Sequence, residues 1–413
     1  MNVGLFADCY QPTVSGVVTS LRQLKQGLEQ RGHKVVLFVP ATRARLCHSA
    51  TECTALSGAN DLQSGGSRHA GSSPPEGVVA RFPSLPFNRA SGFRLALVNP
   101  RAVWRLARRA KLDIIHTHTE YSLGWAGKSA ARHLGIPFVH TTHTLHQAYL
   151  HYLPLGRVIS TRFVHRYLRL FLSNCATLIC PSEKARGCFQ AFLPQVRAVV
   201  VDNGIEPADF CPQPLDTEPV ASIRQALRLG PTAEVILYAG RIAREKRVVE
   251  LLDALVPLLH ARPQARVLFV GSGPADRELA AAVEGSRVRS QVILAGRVEW
   301  ARMHHFYSAA HLFVTASLSE MQPMTLIEAA LCGLPVVARR DPAYAGLVRD
   351  GYNGYLVGSD SEIAARAIDL FENEEKRGRL AENARLLSAA FSAQRHVEEV
   401  ERIYQQVTGL SLP

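Results

Sequence analysis

Short apolar runs alternate with longer stretches of amphipathic spacing along most of this chain. VGLFAD, HKVVLFVP, DIIHTHT, IPFVHTTH, ATLICPS and AVVVDNG read as strands. Between them, VTSLRQLKQGLEQRG and GWAGKSAARHLG read as helices. Strands and helices in alternation predict a doubly wound parallel sheet, since parallel neighbours need a crossover. The pattern stops twice. From Cys47 to Gly77 periodicity is lost and Ser, Gly and Pro dominate, which predicts a mobile surface loop. At GIEPADFCPQPLDTEPV prolines accumulate without helical spacing, which predicts an interdomain linker. The alternation then restarts with EVILYAGR, RVLFVGSG, QVILAGRV, HLFVTAS and LPVVARR, and SAQRHVEEVERIYQQVTGL closes the chain as an amphipathic helix. The expected organisation is α/β, with two Rossmann-like domains facing each other. They span 1–205, with 47–77 a flexible loop, and 206–394; residues 395–413 form a helix packing back towards the first domain. Ligands of such sheets bind in the crevice outside the carboxyl ends of the strands.

Composition narrows the class. A chain of 413 residues suits two domains of roughly 100–200 residues each. With 47% hydrophobic and 20% charged residues it has the balance of a soluble globular protein, and no apolar run approaches the ~18 residues that span a bilayer. MNVGLFADCY enters a strand directly, without a basic leader, so the expected location is the cytoplasm. Eight cysteines without C-x-x-C spacing indicate neither a disulfide framework nor a zinc site.

The net charge of +12 calls for an anionic partner or a structural reason. Its densest run is RLALVNPRAVWRLARRAKL, where Arg94, Arg101, Arg105, Arg108, Arg109 and Lys111 surround Leu97, Val103, Trp104, Leu106 and Leu112. After Pro100 this reads as an amphipathic helix. Either its basic face, Arg101, Arg105, Arg108 and Arg109, lies on an anionic membrane surface, or it is a solvated crossover helix with Trp104 in the core. A nucleic-acid partner is not expected, because no binding motif accompanies the charge and aromatics are only 7%.

Candidate chemistry sits at the strand ends of the second half. Arg241 and Lys246 follow VILYAG, where two cations grip a diphosphate. Gly271 and Gly273 follow RVLFV, and serve either close backbone approach to a ligand or tight packing. Glu320 and Glu328 follow HLFVTAS, where carboxylates accept hydrogen bonds from paired hydroxyls. A rival reading comes from the first half. His116 and His118 fall on one strand face, with His140, His143 and His146 following, as in a histidine-ligated metal hydrolase.

In combination, GRIAREK and SEMQPMTLIEA resemble the diphosphate segment and the E-x7-E segment of the retaining glycosyltransferases of family 4, which have the GT-B fold. By that resemblance Arg241 and Lys246 hold the diphosphate of a nucleotide sugar, Glu320 the transferred sugar and Glu328 the ribose. Gln322, Met324 and Thr325 complete the donor site, with Pro323 standing where many members carry glycine and removing one backbone N–H. YQPTVSGVVTSL resembles the loop that closes over the donor, with Gly16 as its close-approach residue. His143 would contact the donor sugar from the N-terminal side, and Tyr10, His118 and Glu120 would line the acceptor side. HTHTEYSLGWAGKSAARHLGIPFVHTTHTLHQAYLHYLP resembles the bacterial branch that glucosylates diacylglycerol from UDP-glucose. GDP-mannose- and UDP-sulfoquinovose-dependent lipid transferases lie near that branch. The resemblance implies no cofactor and no required metal, in keeping with the absence of a D-x-D run, and a peripheral location on the inner face of the cell membrane.

Overall fold

The computed structural model describes residues 1–11, 13, 15–41, 78–88, 93–144 and 160–410; the expected loop at 47–77 and His146 lie outside these residues. In the first half the chain forms β1 (Asn2–Phe6), α1 (Gly16–Gln30), β2 (Lys34–Pro40) and β3 (Val79–Phe82). A hairpin follows, of β4 (Ser84–Asn88) and β5 (Phe93–Ala96), then α2 (Pro100–Arg109) and β6 (Ile114–Thr117). The half ends with α3 (Ser122–Leu134), β7 (Phe138–Thr141), α4 (Thr161–Phe171), β8 (Thr177–Cys180), α5 (Glu183–Gln190) and β9 (Ala198–Val200). Seven of the described strands make one parallel sheet in the order β3-β2-β1-β6-β7-β8-β9. β1, inside the sheet, is apolar from Val3 to Phe6 because both its faces are covered, and Val3, Leu5 and Phe6 have no exposed surface. Helix α1 starts where the Ser15 hydroxyl accepts the Val18 N–H at 3.3 Å. Its buried Val18, Leu21, Leu24 and Leu28 recur at helical spacing against the sheet.

The second half adds α6 (Glu218–Ala226), β10 (Glu234–Ala239), α7 (Val248–Ala261), β11 (Ala265–Val270), α8 (Asp276–Gly285) and β12 (Val292–Gly296). It continues with α9 (Met303–Ser308), β13 (Leu312–Thr315), α10 (Met324–Leu331), β14 (Val336–Arg339), β15 (Gly354–Val357), α11 (Ser361–Glu372) and α12 (Glu374–Ser388). Its six described strands are parallel in the order β12-β11-β10-β13-β14-β15. The segment expected to be a linker is packed structure. Pro207–Phe210 is a 3-10 turn whose Phe210 is buried against Trp300 and Tyr307, and α6 begins within the same proline-rich run. Prolines at helix starts, which need no N–H there, gave the run its linker-like composition.

The chain divides into two compact units, residues 1–181, 185–201 and 397–413 in one, and 182–184 and 202–396 in the other. The last helix, α13 (Ala393–Thr408), therefore returns to the first unit. Its Val397, Val400, Ile403 and Tyr404 join the apolar cluster of β1 and α1. Gly27 on α1 makes room for it, since a Cβ there would lie 2.4 Å from Val397.

Each sheet reverses its strand order once. In the first unit the chain grows from β1 to β2 and β3, then from β6 outwards on the other side; in the second it grows from β10 to β11 and β12, then from β13 outwards. The carboxyl ends of β1 and β6, and of β10 and β13, are thus the two places where open sheets of this kind offer a crevice.

Candidate active site

The second unit brings three of the expected residues together at the β10/β13 reversal. After β10 the chain passes Arg241, makes a 3-10 turn over Arg244–Lys246 and enters α7 through Arg247. Arg247 holds a left-handed backbone, φ 55°, unfavourable for a residue with a Cβ. Its guanidinium lies 2.6 Å from Asp360 Oδ2, and Arg339 Nε lies 2.8 Å from Asp360 Oδ1, so the turn is clamped from outside. The turn presents Lys246, whose Nζ donates to Glu320 Oε1 at 2.6 Å although the two are 74 positions apart. Both side chains are largely buried, 13% and 15% exposed. Burial alone pushes the Glu320 carboxyl up; Lys246 and a hydrogen bond from Ser317 outweigh it and hold the group below its ordinary value. Arg241 donates to Glu245 Oε1 at 2.8 Å, and the Glu245 carbonyl accepts from the Ser319 hydroxyl at 3.0 Å. The loops after β10 and β13 are thereby tied together. The resulting patch sets cations beside carboxylates, a chemistry suited to an anion carried on a group with hydroxyls.

Glu328 lies on α10 with different neighbours. Trp300 Nε1 donates to its Oε1 at 3.0 Å and the Tyr307 hydroxyl to its Oε2 at 2.7 Å. Burial raises its carboxyl above the ordinary value despite these two bonds, because no cation among the described residues stands beside it. Gln322 uses both ends of its amide: Oε1 accepts the Asn203 N–H and Nε2 donates to Asp202 Oδ1, each at 2.6 Å, pinning the start of the unit. Helix α10 opens at Pro323 without a side-chain cap, followed by buried Met324 and half-buried Thr325. Between the two glycine readings, the geometry shows tight packing. A Cβ on Gly271 would lie 1.8 Å from the Gly240 carbonyl and one on Gly273 would lie 2.2 Å from that of Ile242. Their amides are occupied, Gly271 donating to the Gly296 carbonyl at 2.8 Å and Gly273 to Asp276 Oδ1 at 2.9 Å.

In the first unit the histidines form a hydrogen-bonded core rather than a ligand set. His116 meets the Tyr404 hydroxyl at 2.6 Å and Thr141 Oγ1 at 2.7 Å; His140 meets Thr117 Oγ1 at 2.7 Å and Glu120 Oε1 at 3.0 Å. Both nitrogens of each ring are engaged by protein groups, which leaves no lone pair for a cation. Among the described residues no group of three or more His, Cys, Asp or Glu side chains is placed to hold a metal ion. The metal-hydrolase reading is therefore unsupported. His118 and His143 do come together, 3.1 Å between Nδ1 and Nε2, beyond the ends of β6 and β7. Glu120 is buried on His140, Tyr10 is buried in the cluster of β1 and α1, and Gly16 is exposed at the first position of α1.

Residues the sequence reading passed over hold these in place. Asp8, at the end of β1, accepts from Thr119 and Ser122 hydroxyls and from the Leu123 N–H, capping α3 from outside. Its carboxyl is raised by burial. Asp8, Glu245, Trp300, Tyr307 and Asp360 belong to no spaced motif, and only the fold brings them to their partners. On α2, Arg101, Arg105, Arg108 and Arg109 are exposed, while Trp104 stacks on His133 of α3 at 4.2 Å and donates to the Ser129 hydroxyl at 3.2 Å. Arg94 lies outside the helix, bound to Ser84 from β5.

Two family models match the chain: Glycosyltransferase Family 4 over residues 14–209 and Glycosyl transferases group 1 over residues 220–387. The alpha-monoglucosyldiacylglycerol synthase of Streptococcus pneumoniae is 31% identical over 369 residues, 89% of this chain and 78% of that protein. A protein of the same name from Acholeplasma laidlawii is 28% identical over 414 residues, 98% of this chain and 96% of its own. Among solved structures, sucrose-phosphate synthase from Thermosynechococcus elongatus aligns with a TM-score of 0.76 at 20% identity, covering 99% of this chain and all of that one. Anabaena HepE in complex with UDP-glucose aligns with a TM-score of 0.72 at 18% identity, covering 98% of this chain and 100% of its own.

Proposed function

Because this chain belongs to glycosyltransferase family 4 and has the GT-B fold, we propose that it moves glucose from UDP-glucose to the free hydroxyl of diacylglycerol, retaining the α configuration. The acceptor half of this reading rests on likeness along most of the chain to two proteins named alpha-monoglucosyldiacylglycerol synthase. The donor half rests on the Lys246–Glu320 pair at the β10/β13 reversal, with Arg241 tied to Glu245 of the same loop. The exposed arginines of α2 suit a lipid acceptor, which is presented at an anionic surface.

In the proposed reaction the acceptor oxygen bonds to the sugar C1 on the face from which the diphosphate leaves, and its proton passes to the departing phosphate oxygen. Charge accumulates on that diphosphate as the C1–O bond breaks. Arg241 and Lys246 are assigned to stabilise it, as preorganised cations. Glu320, kept ionised beside Lys246, is assigned to the sugar hydroxyls. Glu328 is assigned to the ribose, and the Met324 and Thr325 amides to the role that Pro323 cannot fill. His143 is assigned to the transferred sugar.

The test offers purified protein labelled UDP-glucose, GDP-mannose or UDP-sulfoquinovose with diacylglycerol vesicles, followed by chromatography of the lipid extract. Label in the lipid from UDP-glucose alone, undiminished by EDTA, is the expected result. Label from another donor replaces the sugar assignment. Label confined to water-soluble glycosides overturns the acceptor assignment and leaves glycosyl transfer standing.

A further inference from the structure

Helix α4 turns a combination of side chains outward that a solvated helix has no reason to carry. Phe163 and Leu170 are each 61% exposed. They stand seven residues apart, about two helical turns, and so lie along one line of the helix. Arg162, Arg166 and Arg169 are exposed beside that line, whereas Val164, Leu168 and Phe171 face inward and are buried. No Asp or Glu occurs anywhere between Glu120 and Glu183, a stretch that contains Lys128, Arg132, Arg157, Arg162, Arg166 and Arg169.

The helix is held firmly from behind. Trp125 of α3 donates to the Tyr167 hydroxyl at 2.9 Å and packs edge-on to Phe171 at 5.4 Å, and Lys128 donates to the Ser173 hydroxyl at 2.8 Å. Helix α3 also carries α2 on its other contact, through Trp104 on His133 and Ser129. Helices α2, α3 and α4 therefore adjoin in series, and none of the three contains an acidic residue.

We propose that α4 is a second membrane contact of the first unit, in which Phe163 and Leu170 enter the headgroup region of an anionic lipid surface while Arg162, Arg166 and Arg169 meet its phosphates. The two chemistries together select this occupant. Phosphates attract the arginines, and the boundary of the acyl chains is where exposed Phe and Leu gain by leaving water. A nucleic acid would use the charge and leave the apolar pair in water. The docking would set diacylglycerol's own surface against this unit, and in that respect rests on the lipid-acceptor reading above.

The full chain and F163S/L170S are compared by sedimentation with phosphatidylcholine vesicles, with and without phosphatidylglycerol, at low and high salt. Thermal unfolding and UDP binding report that the variant is folded. Wild type is expected to bind only the anionic vesicles strongly and to keep part of that binding at high salt, because apolar insertion is not screened. F163S/L170S is expected to bind about tenfold or more weakly, the scale of removing two inserted side chains, and to lose the remainder at high salt. Sedimentation of the variant like wild type at both salts overturns the proposal. So does a wild type that self-associates while F163S/L170S is monomeric with unchanged vesicle binding, which assigns the pair to contact with a second copy. Weakened vesicle binding with no lipid product from wild type keeps the docking surface and removes the acceptor reading. Unchanged vesicle binding with normal lipid product does the reverse.

Discussion

Two carboxylates eight positions apart, Glu320 and Glu328, are shifted in opposite directions by their surroundings. Glu320 is held below its ordinary value against burial, so the stability it contributes is present above the unfolded pKa of about 4.3 and lost as pH falls through the lower folded value. Lys246→Met leaves that carboxylate largely buried without its cation. The expected result is a strongly destabilised variant that Glu320→Gln partly rescues, with a coupling of roughly 1–3 kcal/mol in a double-mutant cycle read by denaturant unfolding. Additive losses would show that the 2.6 Å pair does not act as a unit. Glu320→Gln alone should also lower turnover by about 100-fold, the scale of one transition-state contact. Glu328 has the reverse sign. Its carboxyl is harder to ionise folded than unfolded, so at this position stability falls as pH rises past about 4.3. Glu328→Gln should therefore gain thermal stability relative to wild type between pH 4 and pH 7, its oxygen accepting from Trp300 and its amide donating to the Tyr307 hydroxyl, while donor KM rises more than kcat falls. A variant that loses stability over that range removes the ionised, buried carboxylate from the account. The E-x7-E spacing was legible in the sequence. That one acid meets a lysine and the other a tryptophan and a tyrosine was not, because Lys246, Trp300 and Tyr307 stand 74, 28 and 21 positions from the acids they meet.

Elements were the most readable level, for a physical reason: a parallel strand covered on both faces must be a continuous apolar run. β1, β2, β6 to β14 and the helices α1 and α3 follow directly from such runs. What escaped were β3, β4, β5 and β15, short strands at sheet edges or in the hairpin, in each of which an Arg, Pro or Gly interrupts the apolar run. Glycines between elements were ambiguous for a related reason, since close approach to a ligand and close approach to backbone ask for the same residue. Gly271 answers to backbone: φ is 141° and the Gly240 carbonyl fills the place of a Cβ. Gly271→Ala should cost about 3 kcal/mol or more, appearing as a lower melting temperature of the second unit even with saturating UDP. A stable variant that has lost only UDP binding would restore the ligand reading. The basic helix α2 was legible as amphipathic, and the structure keeps both parts of its description, with Trp104 packed on α3 and the arginines in solvent. Replacing Arg101, Arg105 and Arg108 by Glu should weaken binding to anionic vesicles, leaving the share carried by α4, and leave UDP binding unaltered; vesicle binding unchanged by the triple change assigns α2 a solvated structural role.

At the scale of the whole molecule the chain does not end where its second sheet ends. After α12 it enters α13, whose residues from Val397 onward belong to the first unit, so that unit's core is completed by a helix that follows the second unit in sequence. The contacts are of two kinds. Val397, Val400, Ile403 and Tyr404 are buried with β1 and α1, and around them Arg31 Nη2 pairs with Glu401 Oε2 at 2.7 Å, His33 Nε2 meets Glu401 Oε1 at 2.6 Å and the Tyr404 hydroxyl meets His116. Fully burying four such side chains stabilises by roughly 6–12 kcal/mol, comparable to the ~5–15 kcal/mol that holds an entire domain folded. A chain truncated after His396 should therefore fail to fold its first unit, giving a single unfolding transition from the second unit and exposed apolar surface that binds a hydrophobic dye. Glu401→Gln, which keeps the helix and removes only its buried charge, should retain two folded units with a modestly lower melting temperature. A truncated chain that still shows the first unit's cooperative transition would mean that α13 covers a core already complete without it.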